Sequence, residues 1–482
     1  MVDVNNKNMT HEERELEILR AAVDKAEKIS GRRKIESGKI NDIIQIVETF
    51  IIKNKLVVYG GTAINNILPK DKQFYDYEFE IPDYDAFSPS ALKHAKGLAD
   101  VFYKAGYENV EAKSGMHKGT FKIFVNHIAV ADITDVESVI FKSISREAIN
   151  KKNMLYAPAN YLRMSMYNEL SSPQGDVSRW EKVLKRLTLL NKVFPIVNER
   201  CDTIQFQRDF EGTQHQKQEA YTLLRDALIE QNVVFFGGWA SSLYGRYMSD
   251  KKRKQVQVEI PDFDVLSEDP YATAKIVASK LRQVGLKHVR TRKKSGVGDI
   301  LSEHYEIMVD GDSVCFVYKP LKCHSYNTLK INNKYARIAT IDTMLSLYLI
   351  FCYCNRPYYD VDRLLCMSKY LFEVQRKNKF SQKGILKRFS VNCYGNQQTI
   401  EELRAEKGEK YNELKKKKNS KEFQTMFLKY VPASNYEPCR LNVAKPTRKS
   451  VRKKKNKTRK SKIIDLQKKR NPLCPIVPAL CK

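Results

Sequence analysis

At 482 residues the chain is long enough for two or three domains with cores of their own. Its apolar content of 42% is that of a soluble globular protein, and its longest apolar run, Leu345 to Cys354 with Ser346 inside it, is too short to cross a bilayer. The formal charge of +29 favours polyanionic partners, and residues 445–470 concentrate part of it, with 14 Lys/Arg against the single acid Asp465.

Residues 10 to 53 carry helical spacing in Leu16, Leu19 and Val23, and again in Ile40, Ile43, Val47 and Phe50. Leu56 to Tyr59 reads as a short buried strand, followed after Gly60-Gly61 by a helix from Thr62 to Leu68 that Pro69 ends. Phe79 to Phe87 reads as a strand bearing Asp83 and Asp85. Ser88 is placed to cap a helix running from Pro89 to Ala105. Thr120 to Val125 and Ile128 to Thr134 flank Asn126-His127 as a hairpin.

The second half repeats this order. Asn232 to Phe236 is a strand, Gly237-Gly238 follows, and Val256 to Leu266 carries Asp262 and Asp264. Ser267 is placed to cap a helix running to Gly285, and Asp310-Gly311-Asp312 turns a hairpin. Asp176-Val177-Ser178-Arg179 is echoed by Asp360-Val361-Asp362-Arg363. The matched landmarks read as a duplication. Residues 390 to 440 are mixed helix and loop, and beyond Ala444 the chain is too charged and too poor in apolar residues to fold alone. The ten cysteines all lie at or after Cys201 without a Cys-x-x-Cys pair, so they are expected to be reduced structural thiols. The first residues, Met1 to Lys7, lack the apolar core of a signal peptide.

A strand, a Gly-Gly turn into a helix and an Asp-x-Asp on the next strand form a layout suited to nucleotidyl transfer. In-line attack of a hydroxyl on a triphosphate uses two divalent ions roughly 3.5–4 Å apart, and Mg²⁺ or Mn²⁺ takes carboxylate oxygens. Asp83 and Asp85, two apart on a strand, are expected to share a face. Asp132, on the hairpin strand, is the expected third ligand. Gly60 and Gly61 let the backbone approach phosphates, and Thr62 is placed to add a hydroxyl. Lys118 and Lys122 are candidate RNA contacts. In the second copy, Gly237, Gly238, Asp262 and Asp264 are kept. Tyr318 is expected at the third position, where a phenol cannot replace a carboxylate, and Trp239 in the place of Thr62 is expected to crowd a triphosphate.

These residues resemble the DNA polymerase β-type nucleotidyltransferase superfamily. Val58-Tyr59-Gly60-Gly61-Thr62-Ala63-Ile64-Asn65, Ile81-Pro82-Asp83-Tyr84-Asp85, Ala131-Asp132-Ile133 and Arg163-Met164-Ser165-Met166-Tyr167 are more closely similar to the poly(A) polymerase catalytic subunits of large nucleocytoplasmic DNA viruses, the mimivirus-like ones in particular. The resemblance covers roughly residues 40 to 370. It implies an α+β fold of two tandem nucleotidyltransferase-like domains, each a mixed sheet flanked by helices. The catalytic domain and its N-terminal helices are expected over residues 1–200, the degenerate domain over 201–390, a helical and loop extension over 391–444 and a disordered basic tail over 445–482. It implies template-independent addition of AMP from ATP to mRNA 3′ ends with two Mg²⁺ or Mn²⁺ ions, single-stranded RNA as partner, a homodimer, no membrane, and the host cytoplasm or virion as location. The motif alone equally fits a CCA-adding, uridylyl-adding or oligoadenylate-making enzyme, and a non-catalytic RNA-binding scaffold is the reading from another class.

Overall fold

The computed structural model describes residues 10–12, 14–16, 18–19, 22–23, 26, 39–75, 82–204, 206, 214–249, 252–253 and 262–432. The basic tail, residues 79–81 and residues 256–261 of the two expected acid strands, and the last part of the 391–444 extension lie outside them.

The described residues between 11 and 26 are helical. Helix α1 (Lys39–Lys53) buries Ile40, Ile43, Val47, Phe50 and Ile51, the stripe its spacing dictates. Strand β1 (Val57–Tyr59) leads into α2 (Gly60–Ile67), which begins two residues earlier than Thr62 because the Gly-Gly turn is its first turn. Next come β2 (Tyr84–Ser88), α3 (Ala91–Lys104), β3 (Val110–Ser114), β4 (Thr120–Val125) and β5 (Ile128–Asp135). Ser88 does not cap α3; its hydroxyl accepts from Ser90 N–H and meets His94 Nδ1, and the helix starts three residues on. Asn126 and His127 both take positive φ, as a tight hairpin between β4 and β5 requires. The repeat closes with α4 (Ser138–Arg146), β6 (Ile149–Lys151), β7 (Met154–Tyr156), α5 (Ala159–Leu170) and α6 (Trp180–Val193).

The second repeat follows the same order. It comprises α7 (Gln214–Glu230), β8 (Val234–Phe236), α8 (Gly237–Ser242), β9 (Phe263–Leu266), α9 (Pro270–Gln283), β10 (Arg290–Lys294), β11 (His304–Val309), β12 (Asp312–Tyr318), β13 (His324–Ile331), β14 (Lys334–Ala339), α10 (Ile341–Phe351) and α11 (Val361–Lys377). Helix α9 is capped by Asp269, which accepts from Ala272 N–H, rather than by Ser267. Strand β15 (Cys393–Tyr394), α12 (Ile400–Leu414), α13 (Lys421–Phe427) and β16 (Lys429–Tyr430) end the described chain.

Two mixed sheets result. The first has the order β16-β3-β4-β5-β2-β1-β7-β6 and the second β10-β11-β12-β9-β8-β14-β13-β15. The run β3-β4-β5-β2-β1-β7-β6 coincides with β10-β11-β12-β9-β8-β14-β13, with β16 added at one end of the first sheet and β15 at the opposite end of the second. In both, β1 and β8 run antiparallel to β2 and β9, which run parallel to β5 and β12. The duplication read in the sequence is thus a duplication of topology. Helices α5 and α10, equivalent in the two repeats, pack on each other. Both bury much of their surface, among it Tyr161, Leu162, Tyr167, Met344, Leu345 and Leu349, because α5 packs on α6 and α10 packs on α11 as well as on each other.

The extension after the second repeat returns to the first. Strand β16 pairs with β3, and Lys407 Nζ donates to the Gly115 carbonyl at 2.6 Å. Lys96 reaches Gln424 at 2.7 Å, and Tyr430 OH donates to Asp100 at 2.6 Å. The reading of all cysteines as unpaired thiols is corrected: Cys201 is bonded to Cys366 and Cys323 to Cys393, each with Cα atoms 5.2 Å apart. The partners lie 165 and 70 residues apart, so no local spacing announces them. No helix among the described residues is long and apolar enough to cross a membrane.

Candidate active site

The end of β1 and the start of β2 meet at one end of the first sheet. Tyr59 pairs with Asp85 across these antiparallel strands, and Asp85 pairs with Asp132 across the parallel neighbours β2 and β5. Paired residues leave a sheet on the same face, so the carboxylates of Asp85 and Asp132 stand side by side. Asp83 precedes β2 rather than lying within it, and is exposed, whereas Asp85 and Asp132 are half-buried. Lys122, opposite Asp132 on β4, makes an ion pair with its carboxylate.

Gly60 adopts φ +71°, and a Cβ there would run into the Asp85 carboxylate. The turn is glycine because the chain must both swing left-handed and pass against an acid. A Cβ on Gly61 would collide with the Tyr75 hydroxyl and lie 2.9 Å from the Arg186 guanidinium. That guanidinium, from α6, donates to Tyr75 OH at 2.7 Å and sits 4.9 Å from the Phe74 ring centre. A fixed cation therefore stands over the Gly-Gly turn. Sequence reasoning missed it: Arg186 sits among Lys182, Lys185 and Lys192 on an ordinary charged helix, and no motif singles it out.

Thr62 is 1% exposed, and its hydroxyl donates to the Asp83 carbonyl at 2.6 Å. Its hydrogen bond fixes the loop that carries Asp83, instead of reaching outward to a phosphate. Lys118 is exposed in the β3–β4 turn, at the end of β4 away from Gly60.

The electrostatics follow from crowding. Burial, then the charges of Asp83 and Asp132, push Asp85 up to about 7, against the pull of Lys122 and Arg179. Burial also raises Asp132, opposed by its bond to Lys122. Burial and the nearby Asp85 hold the Tyr59 phenol far above its usual range, and its ring stacks 3.7 Å from Phe87. Among the described residues no three metal-ligating side chains converge tightly enough to cage an ion as they stand. Asp132 is drawn to Lys122 and Asp83 lies on a loop. The donor set itself, three carboxylates with Asp85 raised by burial and by its acidic neighbours, fits hard divalent cations, whose charge would relieve that repulsion.

The second repeat keeps the frame and fills the space. Gly237 has φ +78°, and a Cβ there would strike Asp264 as one on Gly60 would strike Asp85. Phe236 pairs with Asp264, and Asp264 with Phe316. The register equivalent of Asp132 is therefore Phe316. Tyr318 lies two residues further along, opposite Leu266, where the first repeat has Thr134 opposite Phe87. The expected alignment of Tyr318 with Asp132 is corrected by this register; counting along the chain from the hairpin could not see it. Tyr318 still closes the site, its hydroxyl 3.1 Å from that of Tyr359. With Phe206, Phe351 and Tyr348 it leaves Asp262 and Asp264 a cavity of about 20 Å³, room for about one water. Trp239 does not do the crowding: it is buried with Phe235 and Phe263, and its indole N–H donates to Tyr221 OH at 3.1 Å.

The chain is similar to known proteins in sequence and in fold. Residues 45–176 match the family model described as "Poly(A) polymerase catalytic subunit". The chain is 33% identical over 181 residues to the "Putative poly(A) polymerase catalytic subunit" of African swine fever virus (isolate Pig/Kenya/KEN-50/1950), covering 36% of this chain and 38% of that one. It is 34% identical over 161 residues to the protein of the same name from Acanthamoeba polyphaga mimivirus, covering 32% of this chain and 26% of that one. The matched stretches thus span well under half of those relatives. A crystal structure of the Megavirus polyadenylate synthase superposes with a TM-score of 0.73 at 18% identity, over 89% of this chain and 87% of that one. Both repeats together therefore have the fold of that viral polyadenylate synthase.

Proposed function

We propose that the chain is a template-independent poly(A) polymerase adding AMP from ATP to the 3′ ends of mRNA. The observation that carries this reading is the pairing of Asp85 with Asp132 beside the Gly60-Gly61 turn. Asp83 and Asp85 would hold two Mg²⁺ or Mn²⁺ ions, and Asp132 would join them at the ion on the hydroxyl side. Such ions, when bound, stabilise charge on the attacking and leaving oxygens. The backbone N–H groups of Gly60 and Gly61, at the start of α2, orient the triphosphate with the Arg186 guanidinium above them. The RNA 3′ oxygen attacks the α-phosphorus, the bond to the β-phosphate's bridging oxygen breaks, and pyrophosphate leaves. The hydroxyl proton passes to a carboxylate oxygen of Asp132, which stands beside Asp85 where the attacking hydroxyl would lie. The second repeat lacks that third carboxylate and serves packing. The resemblance to mimivirus-like enzymes further supports a homodimer, measurable by light scattering, acting in the host cytoplasm.

Labelled RNA incubated with each NTP in turn, with Mg²⁺ or Mn²⁺, tests this. Extension with ATP is expected. Preference for UTP or CTP would move the protein to another terminal transferase, and no extension with any nucleotide would favour an RNA-binding scaffold.

A further inference from the structure

The row that begins with Tyr59, Asp85 and Asp132 does not end there. Asp132 faces Lys122 on β4, Lys122 faces Lys113 on β3, and Lys113 faces Lys429 on β16. All four side chains therefore leave the same face of the sheet. The other face is buried: Ala112, Ile123 and Ala131 lie inward, where α3 packs. Lys113 and Lys122 are each 42% exposed and Lys429 is exposed. Strands lie about 4.8 Å apart, so the three lysines step away from Asp132 over about 14 Å.

Sheets commonly place lysine on an edge strand to block unwanted pairing. That accounts for Lys429 alone, which lies on the edge strand β16; β4 is internal and β3 is already covered by β16, so Lys122 and Lys113 have no such role. Nor is the row a property of the fold. In the second repeat the same positions read Asp264, Phe316, Glu306 and Arg292, with an acid in the place of Lys122. Glu111 is the acid beside the row, ion-paired to Lys113, whose ammonium also lies 5.2 Å from the Phe124 ring centre. The sides of Asp85 are unlike. Gly60, Gly61 and Arg186 stand on the β1 side, and the lysines stand on the other, beyond Asp132. A triphosphate on the first side leaves the second to the chain that brings the attacking hydroxyl.

We propose that Lys122, Lys113 and Lys429 form a rail for the phosphodiester backbone of single-stranded RNA whose 3′ end lies at Asp132. Its outermost rung is supplied by the segment that returns from the second repeat. The proposal rests on the function given above.

The test uses the full chain and a labelled single-stranded RNA without secondary structure, titrated across a salt series in the absence of nucleotide. Lys113→Ala/Lys429→Ala is expected to bind roughly tenfold more weakly near physiological salt, and its slope of log affinity against log salt falls by about 1.4, about 0.7 for each lost contact. Lys113→Arg/Lys429→Arg restores both. Lys330→Ala/Lys383→Ala, two exposed lysines of the second repeat, removes the same charge and leaves affinity within about twofold. In single-nucleotide addition the rail variant keeps its KM for ATP. Equal effects of the rail and control variants would overturn the rail, as would a rise in KM for ATP with RNA binding intact. Because binding is read without nucleotide, RNA held through the row by a protein that extends nothing would refute the polymerase reading and leave the rail standing.

Discussion

Asp264 stands opposite Phe316 in the same parallel pairing that sets Asp85 against Asp132. One topology, used twice, thus presents two carboxylates on adjacent strands in one repeat and a carboxylate against a phenyl ring in the other. The difference is a single side chain at one register position, followed by aromatic infilling around it. In the second repeat Tyr318, Phe351 and Tyr359 fill the space beside the two acids with stacked rings; the ring centres of Phe351 and Tyr359 lie 4.5 Å apart.

The asymmetry predicts opposite outcomes for equivalent mutations. Asp132→Asn is expected to lower nucleotide addition by about 10³-fold or more, since under the proposed function this one carboxylate would both hold an ion and take a proton. Asp262→Asn is expected to leave single-nucleotide addition within about twofold. Extension assays on the two purified variants compare them directly, and a large loss in Asp262→Asn would mean that the active repeat is misassigned.

Gly60→Ala tests the close approach of the turn to the acid. The left-handed backbone and the Asp85 carboxylate both oppose a Cβ there. The expected cost is about 1–3 kcal/mol in denaturant unfolding, with loss of activity as Asp85 is displaced. Gly106→Ala is the matched control: it has φ +91° with nothing within 4 Å of an added Cβ, so it carries the strain without the collision. Equal activities in the two variants would dismiss the collision with Asp85.

Thr62 separates two roles that the sequence alone leaves open. If its hydroxyl holds the Asp83 loop, Thr62→Val loses one hydrogen bond, about 1 kcal/mol, and kcat falls up to tenfold with KM for ATP little changed. Thr62→Ser keeps most of the activity. A rise in KM for ATP with kcat preserved would instead return Thr62 to the phosphates.

Much of the fold was legible because its signals are local. Val57-Val58 before Gly60-Gly61, the turn at Asn126-His127 and the helical stripe from Ile40 to Ile51 each announce an element within a few residues. What failed was non-local. The register of β12 against β9 decides whether Phe316 or Tyr318 faces Asp264, and a two-residue offset cannot be counted across a loop of unknown path. Arg186 reaches Gly61 from 125 positions along the chain. The bond between Cys201 and Cys366 needs both α11 and the turn after α6 to be in place. The lysine row is also of this kind: Lys113, Lys122 and Lys429 acquire meaning only when three strands are laid side by side.

The second repeat carries a pH dependence of its own. His304 is fully buried; its Nδ1 lies 2.9 Å from the Ser302 carbonyl and its Nε2 2.9 Å from Tyr358 OH, an arrangement that suits the neutral ring donating at one nitrogen and accepting at the other. Burial lowers its pKa to about 4, with Arg356 and Lys294 acting the same way and the Ser302 bond and Glu306 opposing. Burial, with Lys322 nearby, lowers His324 to about 3. Between about pH 4 and 6.5 the unfolded chain therefore binds more protons at these two sites than the folded one, so their contribution to stability rises with pH and is lost on acidification. The slope approaches about 1.4 kcal/mol per pH unit for each histidine. Denaturant unfolding of the wild type and of His304→Gln at pH 7.5 and pH 5 isolates one of them: the variant is expected to lose less stability on acidification, by about 1–2 kcal/mol. Equal losses would mean that His304 is already charged in the folded protein.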